Sequence, residues 1–176
     1  MKPAPKITLH TGKFLTLIKE GPWEYVDRVN ARGAAVIVAV TAERKLLLVE
    51  QYRIPVHCRT IELPAGIIGD KPAGSDESLE LAARRELLEE TGYAARRIKY
   101  LTVGPSSGGL TSELVTLVLA SGLKRVHAGG GVAHESIRVH EVPLLKAPRW
   151  LAARARKGLL IEPKVYAGLY FLGRVK

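Results

Sequence analysis

The sequence predicts an α+β fold in which strands dominate, and three observations carry that expectation. Apolar, β-branched runs of strand length outnumber helical segments. The long helical segments are few, and two of them open beside a proline. A chain of 176 residues with 47% hydrophobic content can bury one ordinary core.

Taken in order, Lys6 to Lys19 and Trp23 to Val29 read as two strands divided by Glu20-Gly21-Pro22. They make residues 1–32 a small antiparallel β subdomain outside the core, with residues 33–176 as the main domain. Ala34 to Thr41 and Lys45 to Tyr52 are apolar runs joined by a polar turn, which reads as a hairpin. Thr60 to Gly66 is a short strand that breaks at Pro64 and Gly66. Ile98 to Val103, Leu114 to Ala120 and Ile137 to Val142 are further strands. Pro148 to Lys157 and Pro163 to Leu172 read as helices, and Gly129-Gly130-Gly131 marks a mobile loop. The whole reads as a mixed sheet between helices.

Composition excludes several function classes. No uninterrupted apolar run reaches membrane length, and the basic N-terminus leads into no signal-peptide core. Cys58 is the single cysteine, so no intrachain disulfide can form, which fits a reducing compartment and a soluble, cytoplasmic protein. The net charge of +10 is dispersed, and aromatic residues make up only 6% of the chain. No basic run is interleaved with stacking aromatics, which argues against nucleic acid; a small polyanion such as a pyrophosphate accounts for some of the charge and solvated surface for most of it.

The most informative stretch is Arg85-Glu86-Leu87-Leu88-Glu89-Glu90-Thr91-Gly92-Tyr93. Glu86 and Glu90 share a helix face with Glu89 beside them, and like charges so placed repel by roughly 0.2–0.5 kcal/mol per pair. A solvated acidic helix end is one explanation; a hard divalent cation taking oxygen ligands is the other. The flanks favour the cation. Gly66 lets the backbone approach a ligand and turn the Ala65 carbonyl inward. Ser75-Asp76-Glu77 reads as the helix start with Ser75 as N-cap. Ala82 and Ala83 bracket Glu86 and would leave room for a metal and a phosphate, while Leu81, Leu87 and Leu88 form the core-facing arc.

These residues resemble the Nudix box, G-x5-E-x7-R-E-U-x-E-E-x-G-U with U bulky and apolar. Glu77, Arg85, Glu86, Leu87, Glu89, Glu90, Gly92 and Tyr93 match in register, while ten residues rather than five separate Gly66 from Glu77. The extra residues fall in a turn-rich stretch where insertion is cheap. Beyond the box, the segments Val49 to Arg53, Ile61 to Gly66 and Ser107 to Glu113 resemble the ADP-ribose and nucleoside-diphosphate-sugar pyrophosphatases. In the last, Ser107 stands where that branch often has a proline. The resemblance implies a Nudix-type α/β/α sandwich with a mixed central sheet plus the small N-terminal sheet. It implies a hydrolase that splits the diphosphate of a nucleotide sugar, ADP-ribose foremost. It also implies a homodimer paired through the N-terminal sheet.

On that reading Glu86, Glu90 and the Ala65 carbonyl hold Mg²⁺, with Mn²⁺ an acceptable substitute and more than one ion in use. Glu89 is a ligand or a partner of one, and Arg85 orients the carboxylates through a forked salt bridge. The family usually carries a late catalytic glutamate in a loop, which makes Glu135 the general base; Glu141 and His134 are weaker contenders. Arg53 is expected on the diphosphate and Glu62 on an adenine amino group or a ribose hydroxyl. Trp23 and Tyr25 are candidates for stacking on the base, with Ser112 and Glu113 near the terminal sugar and Thr111 in the same loop. Two alternatives stay open: another nucleotide substrate, and a nucleotide- or RNA-binding module without turnover.

Overall fold

The computed structural model describes residues 4–69, 77–131 and 136–174. Three strands, β1 (Lys6–Thr11), β2 (Leu15–Glu20) and β3 (Trp23–Arg28), form an antiparallel sheet of their own. The expected single strand from Lys6 to Lys19 is thus two. The chain reverses at Gly12, whose N–H donates to the Leu15 carbonyl at 2.8 Å.

The main body holds two four-stranded mixed sheets. One has the order β10 (Arg138–Pro143), β5 (Lys45–Arg53), β6 (Cys58–Glu62), β11 (Leu160–Ile161); the other β7 (Ala65–Ile67), β4 (Ala34–Ala39), β9 (Leu114–Arg125), β8 (Tyr93–Pro105). β4 pairs parallel with β9, and β11 pairs parallel with β6. Among the described residues three helices complete the fold: α1 (Leu79–Thr91), α2 (Ala147–Ala155) and α3 (Pro163–Leu172). The α+β class with a small N-terminal antiparallel sheet is therefore what the chain adopts.

The hairpin expected from β4 and β5 is only a corner. A bridge between Val40 and Leu46 closes the turn, after which the strands diverge into different sheets. The reason is burial on both faces. Along β4, Val36 and Val38 enter one core with Leu46, Leu48, Ile61, Leu63, Leu151 and Val165. Ala35, Ile37 and Ala39 enter a second core beneath α1, with Leu47, Ala83, Leu87 and Tyr93. A strand covered on both sides reads as a continuous apolar run, and period-2 alternation shares it between two layers.

Ala82 and Ala83 do not line a metal pocket: both are fully buried, and Ala83 packs into the second core, so their small size lets α1 sit close to the sheet. Leu87 is buried as expected, whereas Leu81 faces solvent at 58% exposure. The glycine run is tied down rather than loose. Gly130 and Gly131 donate to the carbonyls of Glu90 (2.8 Å) and Glu89 (3.1 Å), closing the last turn of α1. A Cβ on Gly129 would lie 2.4 Å from the Thr91 carbonyl carbon, so only glycine allows that approach.

Candidate active site

The site forms where the chain leaves one sheet and enters the other. After β6, Leu63 and Pro64 cross the gap, and the Pro64 carbonyl accepts from the Ile37 N–H at 2.8 Å, which anchors β7 at the edge of β4. Helix α1 lies beside this edge. Its N-cap is Ser78, whose Oγ accepts from the Leu81 N–H at 3.3 Å. Ser75 and Asp76 lie outside the described residues; Glu77 precedes the helix instead of sitting in its first turn. Gly92, at φ 75°, ends α1 with its N–H on the Leu88 carbonyl at 2.8 Å.

Two box carboxylates converge on β7. Glu90, 5% exposed, accepts from the Ala65 N–H through Oε2 at 3.0 Å. Glu86 lies across Gly66 so closely that a Cβ there would stand 1.8 Å from its Cδ. Gly66 therefore makes the bed for that side chain. Arg85 fixes the cluster from behind. Its Nε and Nη2 donate to the two carboxylate oxygens of Glu77 at 2.9 and 3.1 Å, Nη1 donates to Glu86 (2.7 Å) and Glu89 (3.3 Å), and Nη2 reaches the Ile67 carbonyl (3.3 Å). The Glu77 hydrogen bonds, aided by Glu86 and opposed by burial, raise the guanidinium pKa above its usual range. Glu77 in turn is pinned by the Gly69 N–H, and its carbonyl accepts from Arg32 at 2.8 Å.

In front of these acids lies a cavity of about 460 Å³. Ala65, Gly66, Glu86 and Glu90 border it together with Arg53, Glu113 and Arg28. Glu62 sits behind Arg53, which it grips in a fork at 2.8 and 2.5 Å. Burial alone would raise the Glu62 pKa, but Arg53 and the Thr60 hydroxyl outweigh it and hold the carboxyl below its ordinary value. In this arrangement Glu62 positions Arg53 and does not itself border the cavity. Glu113 is ion-paired with Arg28.

Trp23, Tyr25, Thr111 and Ser112 line a neighbouring cavity of about 600 Å³, where Trp23 is 59% exposed. Ser112 donates to Asp27 at 2.7 Å, and its N–H and the Leu110 carbonyl pair with Val26. The loop 106–113 thus joins the two cavities and is tied to β3. Glu135 and His134 lie outside the described residues. Glu141 borders a different cavity, engaged by the Tyr93 hydroxyl (2.7 Å) and Lys45 (3.1 Å). Burial, with help from that carboxylate, pushes the Tyr93 pKa up to about 12.

Sequence reasoning missed Arg28, Gln51, Glu162 and Lys164, all of which border the first cavity. Arg28 ends β3 and Glu162-Lys164 open α3, so no local pattern linked them to a box that lies far from both in sequence. Burial pushes the Glu162 pKa up, against the pull of Lys164.

Whether these groups fit a cation turns on the donor set. Among the described residues no three Asp, Glu, His or Cys side chains form a ready cage. The set is two carboxylates, Glu86 and Glu90, beside the backbone of Ala65. Mg²⁺ is commonly held by one or two carboxylates and completes its shell with water and substrate phosphate oxygens, so these residues fit it.

Comparison with known proteins agrees with this geometry. The NUDIX domain family profile matches residues 31–157. A methanol dehydrogenase activator of Bacillus methanolicus is 34% identical over 126 residues, 70% of this chain and 64% of that protein, so the chain spans less than two thirds of its length. The ADP-ribose pyrophosphatase of Bacillus subtilis (strain 168) is 32% identical over 162 residues, 87% of this chain and 84% of that protein. A GDP-mannose pyrophosphatase of Cronobacter sakazakii (strain ATCC BAA-894) is 33% identical over 148 residues, 80% and 72% of the two chains. A crystal structure of an ADP compounds hydrolase superposes with a TM-score of 0.67 at 20% identity, covering 85% of this chain and 84% of that one; at that identity the likeness is one of fold. Among the described residues no helix is long and apolar enough to cross a membrane.

Proposed function

The chain belongs to the Nudix family, in the pyrophosphohydrolase branch that holds the ADP-ribose and GDP-mannose pyrophosphatases, and we propose that it hydrolyses the diphosphate of a nucleoside diphosphate sugar. The preferred substrate is ADP-ribose, giving AMP and ribose 5-phosphate. One observation carries the reading: Glu86 bedded on Gly66 and Glu90 bonded to Ala65 share a cavity with the half-exposed Arg53. Carboxylates on one wall and cations on another suit a substrate whose centre is a diphosphate.

Nudix hydrolases generally depend on divalent metals, and Mg²⁺, replaceable by Mn²⁺ and present as more than one ion, would neutralise phosphate oxygens and lower the pKa of attacking water. Glu86, Glu90 and the Ala65 carbonyl are the residues to hold it, with Glu89 at their side. Arg85 keeps Glu86 and Glu89 aligned. Arg53, steadied by Glu62, binds the diphosphate oxygens and sets the phosphorus in line for attack. Glu135 takes the proton from the attacking water. The nucleoside and sugar ends extend toward the loop 106–113 and Trp23, where Ser112 and Glu113 contact the sugar.

The three-stranded sheet is the proposed homodimer surface. Ile7, Leu9, Leu15 and Trp23 expose between 44% and 59% of their area there. Ile7 and Leu15 share one face of the sheet and Trp23 lies on the other, so pairing through the first face would cover apolar side chains that a lone chain leaves wet.

The test is a panel of ADP-ribose, GDP-mannose, ADP-glucose and dinucleoside polyphosphates, assayed with Mg²⁺ and with EDTA, on wild type and Glu90→Gln. ADP-ribose should be the best substrate, and the variant should lose at least about a hundredfold in kcat with its fold intact. No turnover of any of these compounds by the wild type refutes the reading.

A further inference from the structure

We propose that Lys164 is a second diphosphate-binding cation, paired in function with Arg53, and that Glu162 is the residue that positions it. The inference rests on the pyrophosphohydrolase reading and adds to it a contribution from the C-terminal helix.

The start of α3 is fixed in place. β11 pairs in parallel with β6, Leu160 with Thr60 and Ile161 with Ile61, and the Glu162 N–H then donates to the Ile61 carbonyl at 2.9 Å. Pro163 follows at the first helical position. Glu162 and Lys164 follow directly after β11 and are thereby held beside β6, the strand that carries Glu62, on the border of the cavity that contains Glu86 and Glu90.

Two local choices here run against stability. Glu162 is the N-cap residue of α3, yet its side chain makes no capping hydrogen bond. It is ion-paired with Lys164 instead, and its Oε2 is buried with no hydrogen-bond partner among the described residues. A serine would cap the helix and bring no second carboxylate oxygen to be left without a partner. Lys164 stands in the first helical turn, where the macrodipole disfavours a cation. Both choices coincide on a cavity wall, where a functional demand explains what packing does not.

The surroundings name the ligand class. Among the described residues three cations border the cavity, and each has a carboxylate partner: Arg53 with Glu62, Arg28 with Glu113, Lys164 with Glu162. A paired cation is held in one place and keeps donors to spare. Lysine has three and can bind one phosphate oxygen as a point charge while Glu162 retains another. A diphosphate offers separate oxygens to Arg53 and Lys164. A nucleoside without phosphate offers neither.

Calorimetric titration of ADP and of adenosine, both with Mg²⁺ present, tests this on the wild type, Lys164→Ala, Lys164→Arg and Glu162→Gln. Losing one charge-assisted contact should weaken ADP binding to Lys164→Ala at least about tenfold, leaving adenosine within about twofold. Lys164→Arg should keep most of the ADP affinity, which a purely structural role would not require. Glu162→Gln should weaken ADP several-fold without lowering the melting temperature. With ADP-ribose as substrate, Lys164→Ala should raise KM far more than it lowers kcat. Unchanged ADP affinity in Lys164→Ala, or equal losses for ADP and adenosine, overturns the inference alone. A wild type that binds ADP no better than adenosine overturns the diphosphate reading with it. Should Lys164→Ala fail to fold, Lys164→Met keeps the apolar stem and is judged by the same criteria.

Discussion

Replacing Arg85 by alanine is the most informative perturbation of the box, because one partly buried cation there answers at least three carboxylates. Arg85 is 16% exposed, Glu77 7% and Glu86 13%, so water screens these contacts little; Glu89, at 34%, contributes less. A pair of unit charges about 4 Å apart interacts by about 4 kcal/mol at an effective dielectric of 20, before the cost of desolvation. Removing one member of a buried pair typically destabilises by about 3–5 kcal/mol, since the partner stays buried without its counter-charge. Arg85→Ala should therefore lose about 3–5 kcal/mol, a large part of the roughly 5–15 kcal/mol that holds an ordinary domain together. For a domain of this size the melting temperature should fall by about 6–20 °C. Arg85→Lys keeps the charge and loses the fork, so its loss should be smaller by about half. Urea unfolding at neutral pH, with the slope checked for constancy, measures all three proteins. Added Mg²⁺ should narrow the deficit of Arg85→Ala, because a bound dication supplies the missing positive charge. A loss below about 1 kcal/mol would show that the network is no more than a surface ion pair, and the reasoning would fail.

Three further outcomes are expected. Gly66→Ala places a methyl group 1.8 Å from the Glu86 Cδ, so Glu86 must swing away and kcat/KM should drop about a hundredfold with the helix content by circular dichroism unchanged; normal kinetics would mean that Glu86 does not act from this position. Arg53→Met strips Glu62 of its fork, and since Arg53 is 47% exposed the loss should be about 1–3 kcal/mol at pH 7. Glu62 has a lowered folded pKa, so its contribution is present above the ordinary 4.5 and is lost as pH falls through the folded value; the wild-type advantage over Arg53→Met should shrink below pH 4.5, and a constant gap in acid unfolding would contradict the assignment. Glu135→Gln should lower kcat far more than it changes the affinity for ADP-ribose, and unchanged kcat would move the base elsewhere.

What the sequence revealed and what it hid divide along the range of the interactions. The box was legible because its chemistry is local: one helix carries Arg85, Glu86 and Glu90, and fixed spacing puts them on one side. At Gly66 the missing side chain signalled a close approach, expected there from a ligand; in the structure it is the Glu86 side chain that lies against it. Helix α3 matched its expected bounds, since Pro163 marks the start and an apolar run follows. The errors came where a local pattern admits two tertiary outcomes. Ala82 and Ala83 looked like space for a ligand, but small residues also bring a helix onto a sheet, and only the position of β4 decides between them. The run from Ala34 to Tyr52 reads as a hairpin until one knows that both faces of β4 are buried, which requires the parallel partner β9 far along the chain. Gly129-Gly130-Gly131 reads as slack, yet the same lack of side chains lets the chain press against the end of α1 and satisfy its carbonyls.

The cation wall of the cavity shows the limit most clearly. Arg28, Arg53 and Lys164 come from β3, β5 and α3, and none stands in a motif that announces the others. Each has a carboxylate partner, which lets the positive charges approach one another and the box acids at tolerable cost. A cavity walled by unpaired arginines and lysines would repel itself when empty; one walled by ion pairs is stable and still offers donors when an anion arrives. The same logic runs through the opposite wall, where Arg85 holds Glu77, Glu86 and Glu89 together. The ion pairs within each wall hold its side chains in place, so less binding energy need be spent on ordering them. That preorganisation, more than any single residue, is what a diphosphate hydrolase requires of its scaffold. It is a property of pairings across the fold, which no stretch of sequence read alone displays.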